Sequence, residues 1–268
     1  MESTRLERIA EDVYCLGPWG WAHTCVHFVG NGSTWVLVDT GWAEDGPRIR
    51  QAWQAIAPPC VVPSAIVVTH AHPDHAGSVR ELATAWGCPV YLHRDELPIA
   101  AGDFEAMHGY AGPLDRWVVL PIMRRLSPAR RQRTLDRSSF ADLVDCLDAD
   151  GRIPHLPGWT LLHTPGHTPG HVSLHRPDDG VLLTGDAVIT LDVASPRGLL
   201  GRGTGAYGPP GLTTWDPQAA TDSITRLADL EPRVLAGGHG VPLIGPAAAA
   251  ALRQLARQRH TPGRRRPR

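Results

Sequence analysis

The first third of the chain alternates short apolar runs with Gly, Asn and Pro. The runs CVHFVG, TWVLVDTG, SAIVVTH and CPVYLH are rich in β-branched residues and predict strands. In RIRQAWQAIA and GSVRELATAW the apolar residues recur at helical spacing. The pattern predicts a small sheet with helices on one face.

The pattern changes over residues 96–150, where apolar clusters alternate with Pro, Gly and Arg. We interpret this segment as an irregular, partly helical insertion. Strand patterns resume in GWTLLHT, HVSLHR and GVLLTGDAV. They are followed by a helix around PQAATDSITRLADL, the strand RVLAGG and a closing helix, GPAAAAALRQLARQR.

Strands and helices therefore occur in two similar blocks on either side of the insertion. Two sheets packed face to face, each covered by helices on its outer face, form a four-layer αβ/βα sandwich of the α/β class. We expect a single domain over residues 1–258. The tail at 259–268, which ends in GRRRPR, has no apolar residues to bury, so we expect it to be disordered.

Composition narrows the function classes. The formal net charge is −1, which provides no general attraction for nucleic acid or an anionic membrane. All 26 basic residues are arginine, so Schiff-base catalysis by lysine is excluded. We therefore expect a small-molecule substrate, with neither nucleic acid nor a membrane as partner.

The N-terminus and the cysteines predict a cytoplasmic location. MESTRLERIAEDVYCLG carries charges throughout and has no apolar core of a secretory signal. No apolar run approaches the ~20 residues that span a bilayer. The five cysteines are scattered without a Cys-x-x-Cys pair, which is typical of thiols in a reducing compartment.

The stretch VVTHAHPDHAGS places His70, His72, Asp74 and His75 within six positions, directly after a predicted strand. Imidazole and carboxylate groups are ligands of divalent metals, and loops at sheet ends carry functional sites. A tight loop can turn the first two histidines towards one point and the Asp-His pair towards another. The spacing therefore favours two metal ions over one.

Four ligands do not complete two metal sites, so later segments must contribute. Three segments at predicted strand ends offer further ligands: His163, His167 and His171 in LLHTPGHTPGHVSL, Asp186 in LLTGDAV, and His239 in LAGGHGVP. Glycine next to His167, Asp186 and His239 allows the backbone to pack closely around a compact centre.

Taken together and in this order, these segments resemble the metallo-β-lactamase superfamily, in particular its branch of glyoxalase II and related esterases and lactonases. The resemblance extends from about Val13 to Pro242. VLVDTG resembles the family strand that ends in an aspartate, here Asp39, and THAHPDHAG resembles the main metal loop. One such histidine motif is moderately specific, whereas five matching segments in order are highly specific.

The resemblance implies a dinuclear centre with seven ligands: His70, His72 and His167 for the first metal, Asp74, His75 and His239 for the second, and Asp186 as a bridge. In TPGHTPGH the family ligand is the first histidine after TPG, so His171 is expected to lie behind the ligands. Asp39 is expected to steady the metal loop from behind.

Such a centre implies hydrolysis. Two divalent ions about 3.5–4 Å apart lower the pKa of a shared water towards about 7. The resemblance therefore implies that a metal-bridging hydroxide attacks a carbonyl, with Asp74 as a catalytic residue that also orients the nucleophile. The ligands suit Zn²⁺ best, and Mn, Fe, Co or Ni are alternatives.

Departures from the family patterns reduce the number of substrate classes that the sequence favours. β-Lactamases of the superfamily lack a bridging aspartate at the Asp186 position, and the basic C-terminal set of glyoxalase II has no clear counterpart here. Related lactonases often carry a tyrosine where this chain has Ile189. The leading prediction is a hydrolase of esters, thioesters or lactones. A mononuclear iron sulfur dioxygenase, a phosphodiesterase and a β-lactamase remain alternatives.

Four aromatic residues are candidates for the substrate pocket: Trp19, Trp21, Trp117 and Tyr207. Trp19 and Trp21 lie in GPWGWAH, where the family often has a loop over the metals, although both fit equally well as caps of the sheet. Trp117 lies in the insertion. The sequence leaves open the acyl and leaving groups, the physiological metal, the oligomeric state and the role of the insertion.

Overall fold

Two β-sheets form the centre of the computed structural model, which describes residues 5–58, 60–147, 151–192, 198 and 205–260. The seven-stranded first sheet has the strands in chain order, and its second half is parallel: β1 Leu6–Ala10, β2 Val13–Trp19, β3 Thr24–Gly30, β4 Trp35–Val38, β5 Ala65–Val67, β6 Val90–Leu92 and β7 Val144–Cys146. The five-stranded second sheet has the order β12-β11-β10-β9-β8: β8 Thr160–His163, β9 Val172–Arg176, β10 Val181–Gly185, β11 Val234–Gly237 and β12 Leu243–Ile244.

Alternation along each strand divides the apolar side chains between two faces. In β4, Val36 and Val38 belong to the core between the two sheets, whereas Leu37 belongs to the core under the outer helices. In β10, Leu183 faces the space between the sheets and Leu182 faces outwards. Both faces of these strands are therefore buried.

Helices cover the outer face of each sheet. On the first sheet lie α1 Gly46–Ile56 and α3 Val79–Trp86, which follows the short α2 Pro73–Ala76. Helix α1 presents Ile49, Ala52 and Trp53 to the sheet at helical spacing. The second sheet is covered by Pro217–Ala228 and Pro246–His260, here α8 and α9. The predicted αβ/βα sandwich is confirmed.

The insertion between β6 and β7 is mostly helical. It begins with a 3₁₀ turn and ends with another, and between them lie α4 Leu97–Ala100, α5 Phe104–Gly109, a π-helical turn Asp115–Val119, α6 Leu120–Arg125 and α7 Pro128–Ser138. Its end is not irregular, because β7 pairs in parallel with β6 and extends the first sheet. Leu120, Leu135 and Phe140 are buried and attach these helices to the domain.

At the C-terminus, α9 continues to His260, two residues beyond the predicted end of the domain. The remainder of the predicted tail, 261–268, lies outside the described residues. Within the described ranges, no helix is both long and apolar enough to span a bilayer.

Candidate metal centre

The predicted ligands meet at one edge of the sandwich, where strands of both sheets end. His70 follows β5 of the first sheet, and Asp186 and His239 follow the parallel strands β10 and β11 of the second. An isolated bridge between Thr24 and His239 connects the two sheets at this point. The site therefore lies at the seam between the two halves of the fold.

Three imidazoles form the first cluster. Nδ1 of His72 lies 3.1 Å from Nε2 of His70 and 2.9 Å from Nε2 of His167. Ring nitrogens bound to a tetrahedral zinc at ~2.0–2.1 Å are separated by about 3.3 Å, so this spacing fits one metal ion. The structure thus joins residues that are far apart in the chain.

The second cluster combines Asp74, His75 and His239. Nε2 of His239 lies 3.4 Å from Oδ2 of Asp74. Asp186 lies between the two clusters: its Oδ2 is 3.5 Å from Nε2 of His167 and 3.3 Å from Nε2 of His239. Its Oδ1 is 3.3 Å from Nε2 of His75. One carboxylate therefore faces ligands of both clusters, as expected of a bridge.

Two buried atoms test whether these residues fit a metal. Within the described part of the chain, Nε2 of His75 and Oδ1 of Asp186 have no hydrogen-bond partner. Burial of an unpaired carboxylate oxygen is costly, whereas a divalent cation placed between such atoms satisfies them. The donor set of imidazoles and carboxylates is one that zinc, iron and manganese accept.

Each of three histidines is oriented by its other ring nitrogen. Nδ1 of His75 lies 2.8 Å from Oδ2 of Asp39, and Nδ1 of His239 lies 2.8 Å from the carbonyl oxygen of Ala22. Nδ1 of His70 contacts the hydroxyl of Thr69 at 3.1 Å. In all three, Nε2 is left facing the centre, the arrangement that outer contacts impose on metal-binding histidines.

Asp39 holds the start of the metal loop. Its Oδ1 accepts a hydrogen bond from the Thr69 amide at 2.7 Å, and its Oδ2 accepts one from the Thr69 hydroxyl at 2.9 Å. Its backbone φ is 62°, a left-handed conformation that aspartate tolerates better than most residues. Asp39 therefore ties the end of β4 to the start of the loop that carries the predicted ligands.

His171 lies behind the ligands. Its Nδ1 is 2.9 Å from the Thr164 hydroxyl, and its Nε2 accepts a hydrogen bond from the Asp186 amide at 3.0 Å. Both ring nitrogens are thus engaged by the protein. Burial lowers the pKa of His171 to about 3, which keeps the ring neutral. His163 is directed elsewhere: its Nε2 meets the Pro169 carbonyl oxygen, and its ring stacks on His93.

The two clusters differ in charge preference. Burial, reinforced by neighbouring histidines, holds the pKa values of His70 and His167 well below the ordinary range. Burial also acts to lower the pKa values of His75 and His239, but the neighbouring carboxylates, Asp186 foremost, together outweigh burial and raise both pKa values. His70 and His167 of the first cluster are therefore neutral donors, whereas His75 and His239 of the second cluster hold protons until a metal replaces them.

Gly238 shows how closely the backbone approaches the centre. A Cβ at this position would lie 2.4 Å from Cε1 of His75 and 2.6 Å from Oδ1 of Asp186. Only glycine leaves room for both groups. The glycine next to His239 is therefore required by packing.

The chain matches a known protein family over most of its length. The sequence model of the metallo-beta-lactamase superfamily matches residues 19–239. The chain belongs to this superfamily. "Probable metallo-hydrolase YflN" of Bacillus subtilis (strain 168) is 36% identical over 224 residues, which cover 83% of this chain and 81% of that protein. Like these relatives, the protein is a metallo-hydrolase.

Solved structures of the superfamily agree. TTHA1623, crystallised in a di-iron-bound form, shares 30% sequence identity with a TM-score of 0.53, over 84% of this chain and 92% of that one. A metallo-beta-lactamase from Erythrobacter litoralis shares 20% identity with a TM-score of 0.61, over 96% and 98% of the two chains. The second likeness concerns the fold alone.

The aromatic residues predicted to form the pocket of this metallo-β-lactamase-fold enzyme lie in different environments. Trp19 is buried in the core under α1, and its indole N–H donates to Oδ2 of Asp45 at 3.0 Å. Trp19 therefore caps the sheet and is not part of the proposed substrate pocket. Trp21 and Trp117 are 80% and 76% exposed. Tyr207 pairs through its backbone with Ile189, and its side chain folds over Gly205.

Three further residues, Trp42, Asp115 and Glu96, were not predicted from the sequence. Trp42 packs against Trp21 with ring centroids 6.0 Å apart. Burial raises the pKa of Asp115, and the nearby His72 opposes this shift, so the insertion brings a carboxyl group towards the first cluster. The carboxylate of Glu96 is fully buried between the ligand loops. None of the three belongs to a recognised motif.

Proposed function

We propose that this metallo-hydrolase uses two divalent metal ions to hydrolyse esters, thioesters or lactones of small molecules. The residues proposed to hold the ions are His70, His72 and His167 for the first, Asp74, His75 and His239 for the second, and Asp186 for both. Zinc is the metal we expect first, and iron is the main alternative. The di-iron form of TTHA1623 supports both the dinuclear state and that alternative.

The observation that carries the proposal is the position of Asp186. Its two oxygens face His167 of the first cluster and His75 and His239 of the second. One of these oxygens, Oδ1, lacks a hydrogen-bond partner among the described residues. Burial acts to raise the pKa of Asp186. The neighbouring His239 and His75 outweigh burial and hold this pKa well below its ordinary range. Two cations would share this negative charge.

When bound, the ions would supply Lewis acidity, lowering the pKa of a water molecule and polarising the carbonyl oxygen. The chain provides the orientation. Asp74 is 19% exposed, more than Asp186 at 4%, and can accept a hydrogen bond from the attacking water. Asp39 and the Ala22 carbonyl keep His75 and His239 from rotating. No Ser or Cys nucleophile is required.

The surroundings of the centre favour a substrate with an apolar acyl group. Trp21, which packs against Trp42, is followed by Ala22, whose carbonyl oxygen contacts Nδ1 of His239. The Trp215 amide donates to the His167 carbonyl at 3.1 Å, and the Trp215 ring meets Tyr110 of the insertion. Residues next to His239 in the second cluster and to His167 in the first therefore connect to aromatic pairs, which we propose border the substrate.

Elemental analysis followed by a substrate panel tests this function. We expect about two metal ions per chain and hydrolysis of medium-chain aryl esters, thioesters or lactones. One iron per chain without a second metal would favour the sulfur dioxygenase alternative. A strong preference for phosphodiesters or β-lactams would overturn the proposed reaction class.

A further inference from the structure

Glu96 is a carboxylate that no motif predicts and that is 0% exposed. It lies at the end of the 3₁₀ turn Arg94–Glu96, just after β6 of the first sheet. Its Oε2 accepts a hydrogen bond from the Ala71 amide at 2.9 Å, and its Oε1 accepts one from the Gly170 amide at 2.8 Å. Among the described residues it forms no ion pair.

The two amide donors occupy informative positions. Ala71 lies between His70 and His72, and Gly170 lies between His167 and His171. One carboxylate thus joins a loop of the first sheet to a loop of the second. The three histidines of the first cluster all come from these two loops.

Close packing reinforces the contact. A Cβ at Gly170 would lie 2.8 Å from both Cγ and the backbone nitrogen of Glu96. The second loop therefore rests directly on the Glu96 residue. The two oxygens of one rigid, planar carboxyl group accept from one amide on each loop, and this geometry fixes the separation of the two loops.

We propose that Glu96 is a positioning residue that holds the two loops at the separation required for the first metal. The proposal rests on the metal assignment of the proposed function. Asp39, the other buried carboxylate behind the predicted ligands, contacts His75 and also Thr69, whose hydroxyl meets His70. Of the two carboxylates, Glu96 is the one that joins the loop of His70 and His72 to the loop of His167.

Glu96→Gln isolates this role because it changes one atom of the carboxylate. An amide has one acceptor oxygen, so only one of the two N–H groups keeps its partner, and the other meets a donor. The loops must then separate or rotate. Gly170→Ala reaches the same contact from the other side, by placing a methyl group against Glu96.

Chelator-competition titrations with zinc in two single-site backgrounds measure the effect. His239→Ala leaves the first cluster intact, and His167→Ala leaves the second. We expect Glu96→Gln to weaken zinc binding about 10- to 100-fold in the His239→Ala background. In the His167→Ala background the affinity should stay the same. Equal losses in both backgrounds, or no loss in either, would overturn the proposal.

Asp95→Asn is the matched control, because it makes the same chemical change on the adjacent, 51% exposed side chain. It also disrupts the neighbouring group of His93, Asp95 and His163, and so removes any weak zinc binding there. The control should leave the affinity of the first cluster unchanged. An equal loss in Asp95→Asn would mean that the turn as a whole, and not Glu96, holds the loops.

Thermal unfolding of the metal-free variants separates positioning from folding. If Glu96→Gln does not fold, the same pair of titrations is made with Gly170→Ala, for which the same selective loss is expected. Because the readout is metal affinity, a failure to find the proposed esterase activity would leave this test intact.

Discussion

The metal centre and the insertion are built in opposite ways. In the centre, His70, His75 and His167 are at most 2% exposed, and the other nitrogen of His70 and of His75 has a protein partner. In the insertion, Trp117 and Ile122 are 76% and 55% exposed. We expect the buried, hydrogen-bonded site to determine which reaction occurs, and the exposed apolar surface of the insertion to affect which substrates bind. Changes in the two regions should therefore affect different kinetic parameters.

Removal of the metals should have the largest effect. Chelation should abolish hydrolysis, and zinc or manganese should restore it, because the protein itself offers no alternative nucleophile in the proposed site. His167→Ala should lose the first metal, as measured by elemental analysis. His171→Ala should lose much less, because both of its ring nitrogens contact protein groups. Comparable metal loss in the two variants would show that His171 is the ligand.

Asp74→Asn should lower kcat on the order of 10²-fold, since it removes a charge from both metal binding and water orientation. Steady-state kinetics with a saturating ester measures the change. Asp178→Asn, an exposed aspartate on the β9–β10 turn, is the control and should retain full activity. Loss in the control, or full activity in Asp74→Asn, would contradict the assigned role.

The sequence predicts those features of the metal centre and the insertion that a local pattern of residues encodes. Apolar, β-branched runs predicted β4 and β10, and the candidate ligands were recognisable because histidine and aspartate stand at strand ends. β7 was not predicted, since its sequence VDC contains a charged residue and is not buried, unlike the apolar runs of β5 and β6. Trp19 is buried by packing under α1 and bonds Asp45, 26 residues away, and both are tertiary contacts that no local pattern encodes.

Glu96 illustrates the same limit within the centre. It is one of 27 acidic residues, and its partners are backbone amides, which any residue other than proline provides. Its side chain therefore has no complementary residue type in the sequence. Only the position of the two loops in space distinguishes it from an ordinary surface glutamate.

Substitutions in the insertion should have smaller, substrate-dependent effects. If the acyl group packs on this surface, each buried methylene should improve kcat/KM by up to about fourfold, from ~0.8 kcal/mol per group. Trp117→Ala should reduce this dependence on acyl length while leaving turnover of acetyl esters unchanged. The exposed Val62→Ala serves as a control. Equal rates from two to eight carbons in the wild type would exclude an apolar acyl site.

The smallest effect is expected at Asp115, where the insertion approaches His72. Its carboxylate should repel anionic substrates, so Asp115→Asn should raise kcat/KM for esters with a free carboxylate about two- to fivefold, as expected for a partly exposed charge. Neutral esters of the same length should show no change. The ratio of the two substrates, measured in wild type and variant at low salt, checks this prediction.

The placement of the ligands across both sheets has a thermodynamic consequence. His70 belongs to one sheet and His239 to the other, so the complete ligand set exists only when both halves of the sandwich are assembled. A metal ion that binds only the folded state raises the free energy of unfolding by RT ln(1 + [L]/Kd), where [L] is the concentration of free metal. This increase is about 2.7 kcal/mol when [L] is 100 times Kd. The melting temperature should therefore rise with metal concentration, so the supply of metal would set the fraction of chains that are folded.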